Sequence, residues 1–154
     1  MNEIRKVVKN DVKGLKAVLD SIDLFPAEML DDMMLDYFEN PETEDVWFTS
    51  IQNGKPIAIG YCAPETLTDG TFNLYAIGVQ SDLQSKGIGT EMMLFLENYL
   101  KNLGHRLLIV ETSSLPEFQF TRDFYLKRGY TLEATLRDFW KEGDDKIIFW
   151  KKLC

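Results

Sequence analysis

The residues of this chain best suited to chemistry are two glycines and a lysine in one loop, Gln84-Ser85-Lys86-Gly87-Ile88-Gly89, with Thr90 following. Glycine has no Cβ, so the backbone at Gly87 and Gly89 can come close to a ligand and turn its N–H groups toward it. Leu74 to Val79, ahead of the loop, reads as the end of a strand, and the apolar periodicity after Thr90 reads as a helix. A helix that starts at such a loop adds free N–H groups and partial positive charge, which together hold a phosphate. Lys86 adds a full positive charge, against a net charge of −8 on the whole chain. Two other phosphate motifs do not fit. No Gly-Lys-Ser/Thr follows as in a P-loop, and Met92 stands where a dinucleotide fingerprint needs its third glycine. Taken alone, a two-glycine loop also suits a plain turn or helix entry.

The elements that must position this loop follow from the rest of the chain. Ile4 to Val8 reads as a short strand, and Asp11 as the cap of a helix in which Val12, Leu15, Val18, Leu19 and Ile22 recur at helical spacing. A second amphipathic helix begins near Pro26, carries Met29, Leu30, Met33, Met34, Tyr37 and Phe38, and ends at Asn40-Pro41. Methionines at that spacing belong more often to a core than to an adaptable pocket wall. The period then becomes extended. Val46 to Ile51, the turn Asn53-Gly54, Ile57 to Ala63, the turn Asp69-Gly70 and Phe72 to Val79 make an antiparallel meander.

From Thr90 to Leu103 the pattern is helical, with Met93, Leu96, Leu100 and Leu103 on one stripe and Gly104 at its end. Leu107 to Val110 is a continuous apolar run that suits a strand buried on both faces. Phe72 to Val110 therefore reads as strand, loop, helix, strand, a crossover joining parallel neighbours. Phe118 to Arg128 forms another helix closed by Gly129, and Tyr130 to Leu136 with Lys146 to Lys152 forms a closing hairpin across residues 142–145. The expected fold class is α+β, with a single mixed, mostly antiparallel central sheet flanked by helices.

A length of 154 residues suits one core rather than two, so residues 1–154 are read as a single domain. Seventeen basic against twenty-five acidic side chains give the wrong sign for a nucleic-acid partner, while an acidic surface favours encounter with cationic amines. Met1 to Lys9 is charged throughout and does not read as a signal peptide. No apolar stretch approaches the roughly 20 residues of a membrane span, and a cytoplasmic protein with no membrane partner is expected. Cys62 and Cys154 have no metal-ligand or disulfide spacing, and no metal site is expected. The single histidine, His105, reads as structural or surface.

The strand, the loop and the helix resemble the GNAT N-acetyltransferases, whose signature is a strand, Gln/Arg-x-x-Gly-x-Gly/Ala and a long helix. Here that signature is Gln84-Ser85-Lys86-Gly87-Ile88-Gly89. A second landmark of that family, Arg-x-Phe-Tyr ahead of a Gly-aromatic pair, appears downstream as Arg122-Asp123-Phe124-Tyr125 and Gly129-Tyr130. The order of the other elements also follows the family, so the resemblance covers essentially the whole chain.

The resemblance implies the GNAT-type acyl-CoA acyltransferase fold with acetyl-CoA as co-substrate, wedged between two splayed parallel strands ending near Val79 and Val110. Its pyrophosphate would lie on the amides of Gln84, Ser85, Lys86, Gly87, Ile88, Gly89 and Thr90, and its pantetheine arm along backbone groups of Ile77 and Val79. A primary amine on a small molecule, amino acid or peptide would attack the thioester directly. No acyl-enzyme nucleophile is then needed, and no Ser-His-Asp or Cys-His pairing is evident.

Tyr125 stands where family members often place a hydroxyl near the thioester sulfur, as general acid to the leaving thiolate. On a helix Phe124 would serve the core and Tyr125 would point about 100° away from it. Position 118, often asparagine in the family, is Phe118 here. Some relatives use a glutamate on the strand before the loop as general base, but Phe72 to Val79 holds no acidic residue. Glu111, at the end of the buried strand, and Asp138, in the final hairpin, are then the carboxylates best placed to reach an ammonium, with a water relay as another route. The other readings are a non-catalytic acyl-CoA-binding or sensing domain and a protein or peptide N-acetyltransferase. Either a monomer or a homodimer is compatible.

Overall fold

The alternating and continuous apolar segments of the sequence become the strands of one seven-stranded sheet in the computed structural model, which describes residues 2–154. The strands are β1 (Glu3–Lys6), β2 (Val46–Gln52), β3 (Lys55–Pro64), β4 (Thr71–Val79), β5 (Leu107–Ser113), β6 (Thr131–Lys141) and β7 (Asp144–Lys152). Their order is β1-β2-β3-β4-β5-β7-β6, and every neighbouring pair is antiparallel except β4 with β5. The helices are α1 (Val12–Asp20), α2 (Leu30–Met33), α3 (Leu35–Glu39), α4 (Ile88–Asn102) and α5 (Gln119–Lys127). Among the described residues no helix is long and apolar enough to cross a membrane.

Alternation along the strands builds two cores. Trp47 and Ile59 face α1 and α2, where they pack with Val7, Leu15, Leu19, Leu30 and Met34. Phe48, Cys62, Phe72 and Leu74 face the opposite side and pack with Met92, Met93, Leu96 and Leu100 of α4. The β2–β3 turn carries Asn53 and Gly54 at φ of 52° and 77°, the pair of positive dihedrals that a two-residue turn between antiparallel strands needs. The strand ends move by only a few residues from their sequence-based positions, most at β6, which runs on to Lys141.

Two expectations change. The helix from Pro26 to Asn40 is broken into a 3₁₀ turn at Ala27–Met29 followed by α2 and α3. The break falls at Met34, whose ψ of −2° leaves the regular helix. Leu30 and Met34 are both fully buried there, whereas Met29 is half exposed, so tertiary packing has overridden the continuous periodicity. Asp11 does not cap α1. Its carboxylate turns back to accept from the Val8 N–H at 2.8 Å and from the Arg5 guanidinium at 2.7 and 3.0 Å.

Candidate active site

A gap in the middle of the sheet makes the main cleft. β4 and β5 are in register from Thr71–Leu107 to Leu74–Val110, after which they diverge, although each continues for several residues. The divergence coincides with a bulge: Tyr61 pairs with Ala76 and Cys62 with Leu74, which leaves Tyr75 as the extra residue of β4. The cleft that opens there has a volume of about 660 Å³. Ile77, Gly78 and Gln84 line one side and Glu111, Thr112 and Ser113 the other, while Phe118 and Tyr125 come from the α5 side.

The backbone of β4 beyond the bulge has hydrogen-bonding groups to spare. Gln80 N–H donates to the Ile57 carbonyl, so Gln80 faces β3 and Val79, opposite Ala58, is a residue whose backbone groups turn away from β3. Ile77, two residues back in the same register, has the same orientation. The Gln84 side chain confirms the direction at Val79 by donating to its carbonyl at 3.0 Å. That bond also ties the loop to the strand end.

The loop itself has the conformation of an anion cradle. Ser85 and Gly87 both have positive φ, 63° and 87°, with Lys86 between them. Alternation of this kind turns successive N–H groups to one side. Gly87 is the N-cap of α4, and no side chain caps the helix. The first intrahelical bond runs from Glu91 N–H to the Gly87 carbonyl, so the N–H groups of Ile88, Gly89 and Thr90 have no acceptor within the helix. A Cβ on Gly87 would meet no protein atom within 4 Å, which leaves open space above the loop. Ile88 differs from its neighbours: its side chain is 5% exposed and belongs to the core, so only its amide faces a ligand.

A second cation joins Lys86 at this place, and the sequence reading did not single it out. Arg128, just past α5, donates to Thr90 Oγ1 and lies over the Phe124 ring at 5.5 Å from its centroid. The Phe124 ring in turn lies 3.6 Å from where a Cβ on Gly89 would stand. Its sequence signal, Lys127-Arg128 before Gly129, is that of an ordinary helix C-terminus.

Tyr125 is 3% exposed and packs against Tyr130 and Phe149, with ring centroids 5.6 Å away in both cases. The expectation that Phe124 would serve the core and Tyr125 point elsewhere is therefore reversed, since α5 lays Tyr125 against the sheet and leaves Phe124 half-buried. Tyr125 nevertheless lines the cleft, because the sheet surface beneath it is the place where β4 and β5 part. Burial alone raises the ionisation of its hydroxyl well above the usual tyrosine range.

The carboxylates divide. Glu111 lines the cleft, and its Oε2 is 3.0 Å from Lys146 Nζ, itself 3.9 Å from the Phe139 ring centroid. Asp138 is not part of the cleft wall. It lies at φ 55° in the β6–β7 hairpin, where its Oδ1 accepts from Gly143 N–H at 2.9 Å, as a turn residue does. Asp144, which the sequence reading passed over as hairpin, does line the cleft. It is 6% exposed and accepts from Ser113 Oγ at 2.6 Å and from Ser114 N–H at 3.2 Å.

Comparison with known proteins bears on this geometry. Residues 15–130 match the model of the acetyltransferase (GNAT) family. The chain belongs to that family. An uncharacterized N-acetyltransferase of Methanocaldococcus jannaschii is 29% identical over 86 residues, 54% of this chain and 53% of its own. The match thus spans about half the length of that relative. A crystal structure assigned to a GNAT acetyltransferase of Desulfovibrio desulfuricans superposes with a TM-score of 0.89 at 27% identity, over 100% of both chains. An aminoglycoside 6'-N-acetyltransferase complexed with coenzyme A shares the fold at a TM-score of 0.76 and 17% identity, over 99% of this chain and 97% of that one.

Within the GNAT frame both sequence landmarks have a visible place. Arg122 donates to the carbonyls of Ser113 and Leu115 at 2.6 and 2.9 Å and so fastens α5 to the end of β5. The residues present fit acetyl-CoA. A phosphate needs the uncapped amides with Lys86 and Arg128 beside them, an amide-bearing arm needs the backbone of Ile77 and the Val79 N–H, and a thiol needs the cleft floor at Tyr125.

Proposed function

We propose that this protein is an acetyl-CoA-dependent N-acetyltransferase that transfers the acetyl group to a primary amine without an acyl-enzyme. The observation that carries the proposal is the conjunction of three features: an uncapped helix start behind the Gln84 loop, the edge of β4 where it parts from β5, and the buried Tyr125 lining the cleft between them. Acetyl-CoA supplies an acyl group already activated as a thioester. The chain's part is to bind and orient it and to manage two protons.

In this reading the amides of residues 84–90, Lys86 and Arg128 hold the phosphates, and Gln84 keeps the loop against Val79. Ile77 and Val79 align the arm through their backbone groups. Tyr125, which lines the cleft, gives its proton to the departing sulfur. Glu111, held by Lys146 through one oxygen, takes the proton of the incoming ammonium directly or through water. Phe118 and Trp140, both partly exposed, add aromatic surface to the cleft wall. The reaction suits a cytoplasmic setting, where acetyl-CoA is available.

A thiol-release assay with acetyl-CoA across a panel of amines, paired with calorimetric titration of acetyl-CoA, tests the proposal. Turnover with at least one amine is expected. Micromolar binding with no turnover on any amine would leave a sensing domain instead, and no binding at all would reject the site.

A further inference from the structure

Beside the main cleft lies a second pocket of about 420 Å³ with a different character. Its walls are Leu24, Phe25, Met29, Met33, Tyr61 and Tyr75, and it shares Leu24, Tyr75 and Ala76 with the main cleft. The two spaces therefore meet at the β4 bulge, the point where the acyl group must lie if the loop holds the phosphates. Tyr61 and Tyr75 of its wall continue a column of rings across three strands that begins at the buried Trp47 beneath. Trp47 and Tyr61 stack with centroids 4.2 Å apart at 10°, and Tyr61 and Tyr75 with centroids 5.6 Å apart at 29°. Among the described residues no side chain with a full charge and no side-chain amide lines it.

Carboxylates predominate around the pocket, Glu111 among them paired with Lys146. Tyr75 Oη donates to Glu65 Oε1 at 2.9 Å, and the same oxygen accepts from Asn73 Nδ2 at 2.8 Å. The ionised groups whose charge bears on Tyr75 and Tyr61 are Glu65, Glu111, Asp45 and Asp36, all carboxylates. An ammonium group is attracted to this rim, while the pocket behind it offers a second charge no counter-charge and has only the two tyrosine hydroxyls as polar side-chain groups. Burying such groups unpaired is costly, whereas an apolar body gains by burial.

We infer that this pocket is the acceptor site and that it selects primary amines carrying an aromatic or bulky apolar group, against polyamines and aminated sugars. The inference rests on the acetyltransferase reading and deepens it. The ring or alkyl body lies on Tyr61 and Tyr75 against Met29 and Met33, whose unbranched side chains adapt to its shape. The amine reaches the main cleft past Tyr75. Once it has lost a proton to Glu111 or water, its lone pair forms the N–C bond. The C–S bond breaks with its electron pair on sulfur, which takes a proton from Tyr125; the second proton leaves the nitrogen and returns through water to the Tyr125 oxygen, so the products are an amide and the free thiol. The aminoglycoside acetyltransferase that shares the fold acts on a substrate of the opposite chemistry.

The test compares 2-phenylethylamine and tryptamine with spermidine and kanamycin, by thiol release and by calorimetric titration of each amine. The two aryl amines are expected to give kcat/KM at least about 100-fold above the polar pair, the scale at which unpaired polar groups are rejected. Met29 is half exposed, so Met29→Arg leaves the fold intact, and it is expected to raise the Kd and KM for 2-phenylethylamine at least about tenfold by placing a charge in the pocket. Met29→Leu should retain them. Equal or better use of spermidine or kanamycin, or an unchanged Kd in Met29→Arg, overturns the inference. Binding of 2-phenylethylamine that Met29→Arg abolishes, with no turnover on any amine, keeps the pocket and rejects acetyl transfer. Neither binding nor turnover with the aryl amines rejects the pocket.

Discussion

The Arg128 guanidinium donates to Thr90 Oγ1 and so carries a cation from the end of α5 to the first turn of α4. An anion on the loop then meets two cations of different kinds, an exposed Lys86 and an Arg128 braced on Phe124. Arg128→Ala is expected to weaken acetyl-CoA about tenfold, the scale of one charge-assisted contact, and to flatten the salt dependence of binding. Calorimetry at two ionic strengths measures both. Lys86→Ala should cost about 1–2 kcal/mol, since the amides and Arg128 remain.

Gly87 combines a φ of 87° with open space around its absent Cβ, so any effect of substitution comes from backbone strain and from the ligand rather than from a clash with protein atoms. Gly87→Asp should abolish acetyl-CoA binding, because it places a carboxylate where the pyrophosphate would lie, while lowering stability by only about 1–2 kcal/mol. Gly89→Asp should also abolish binding. Retention of wild-type affinity by either folded variant would reject the cradle.

Tyr125→Phe removes a hydroxyl and keeps the packing against Tyr130 and Phe149. kcat is expected to fall by up to about 100-fold with acetyl-CoA affinity unchanged, as for a lost general acid. Burial holds the hydroxyl protonated above the ordinary range of about 10, so its ionisation should add no alkaline fall in kcat below that pH. A Tyr125→Phe enzyme with unaltered kcat, where chemistry limits turnover, would reduce the residue to packing.

Asp11 is held below the usual carboxylate range, first by its hydrogen bond to Arg5 and further by the Val8 amide. Its lowered folded-state pKa means that the unfolded chain takes up the proton first as pH falls. The stability it contributes is complete above about pH 4 and is lost as pH drops through the folded value. Asp11→Asn should therefore lower Tm at pH 7, with the difference from wild type shrinking toward pH 2. A difference independent of pH would show that the pair contributes only by packing.

Most strands and the glycine loop before α4 were legible because they depend on local signals. The Asn53-Gly54 turn, the alternation of Val46 to Ile51 and the Gly87–Gly89 loop are short-range patterns, and each has its expected place. What escaped was set by distant contacts. Arg128 reads as a plain helix end, and its bond to Thr90 spans residues far apart in sequence. Asp144 reads as a turn residue until Ser113 and Ser114 turn it into the cleft. Met29 and Met33 face a pocket while Met34 is core, a division that periodicity cannot make because it depends on where the helix breaks.

The extra residue at Tyr75 acts on β4 as a frameshift acts on a message. Phe72 and Leu74 share a side of the sheet with α4, and strict alternation would put Ala76 and Gly78 there too; instead Ile77 and Val79 pack on that side, while an added Cβ on Gly78 would meet Ile22 and Leu24 opposite. The odd-numbered residues therefore present their amides along the gap only because the count was offset by one. A single-residue deletion at this point would restore the original frame and exchange the roles of every residue from 76 to 79 without altering the composition of the loop beyond. Spacing between Leu74 and Gln84 is thus as much a determinant of this site as the identity of any side chain in it.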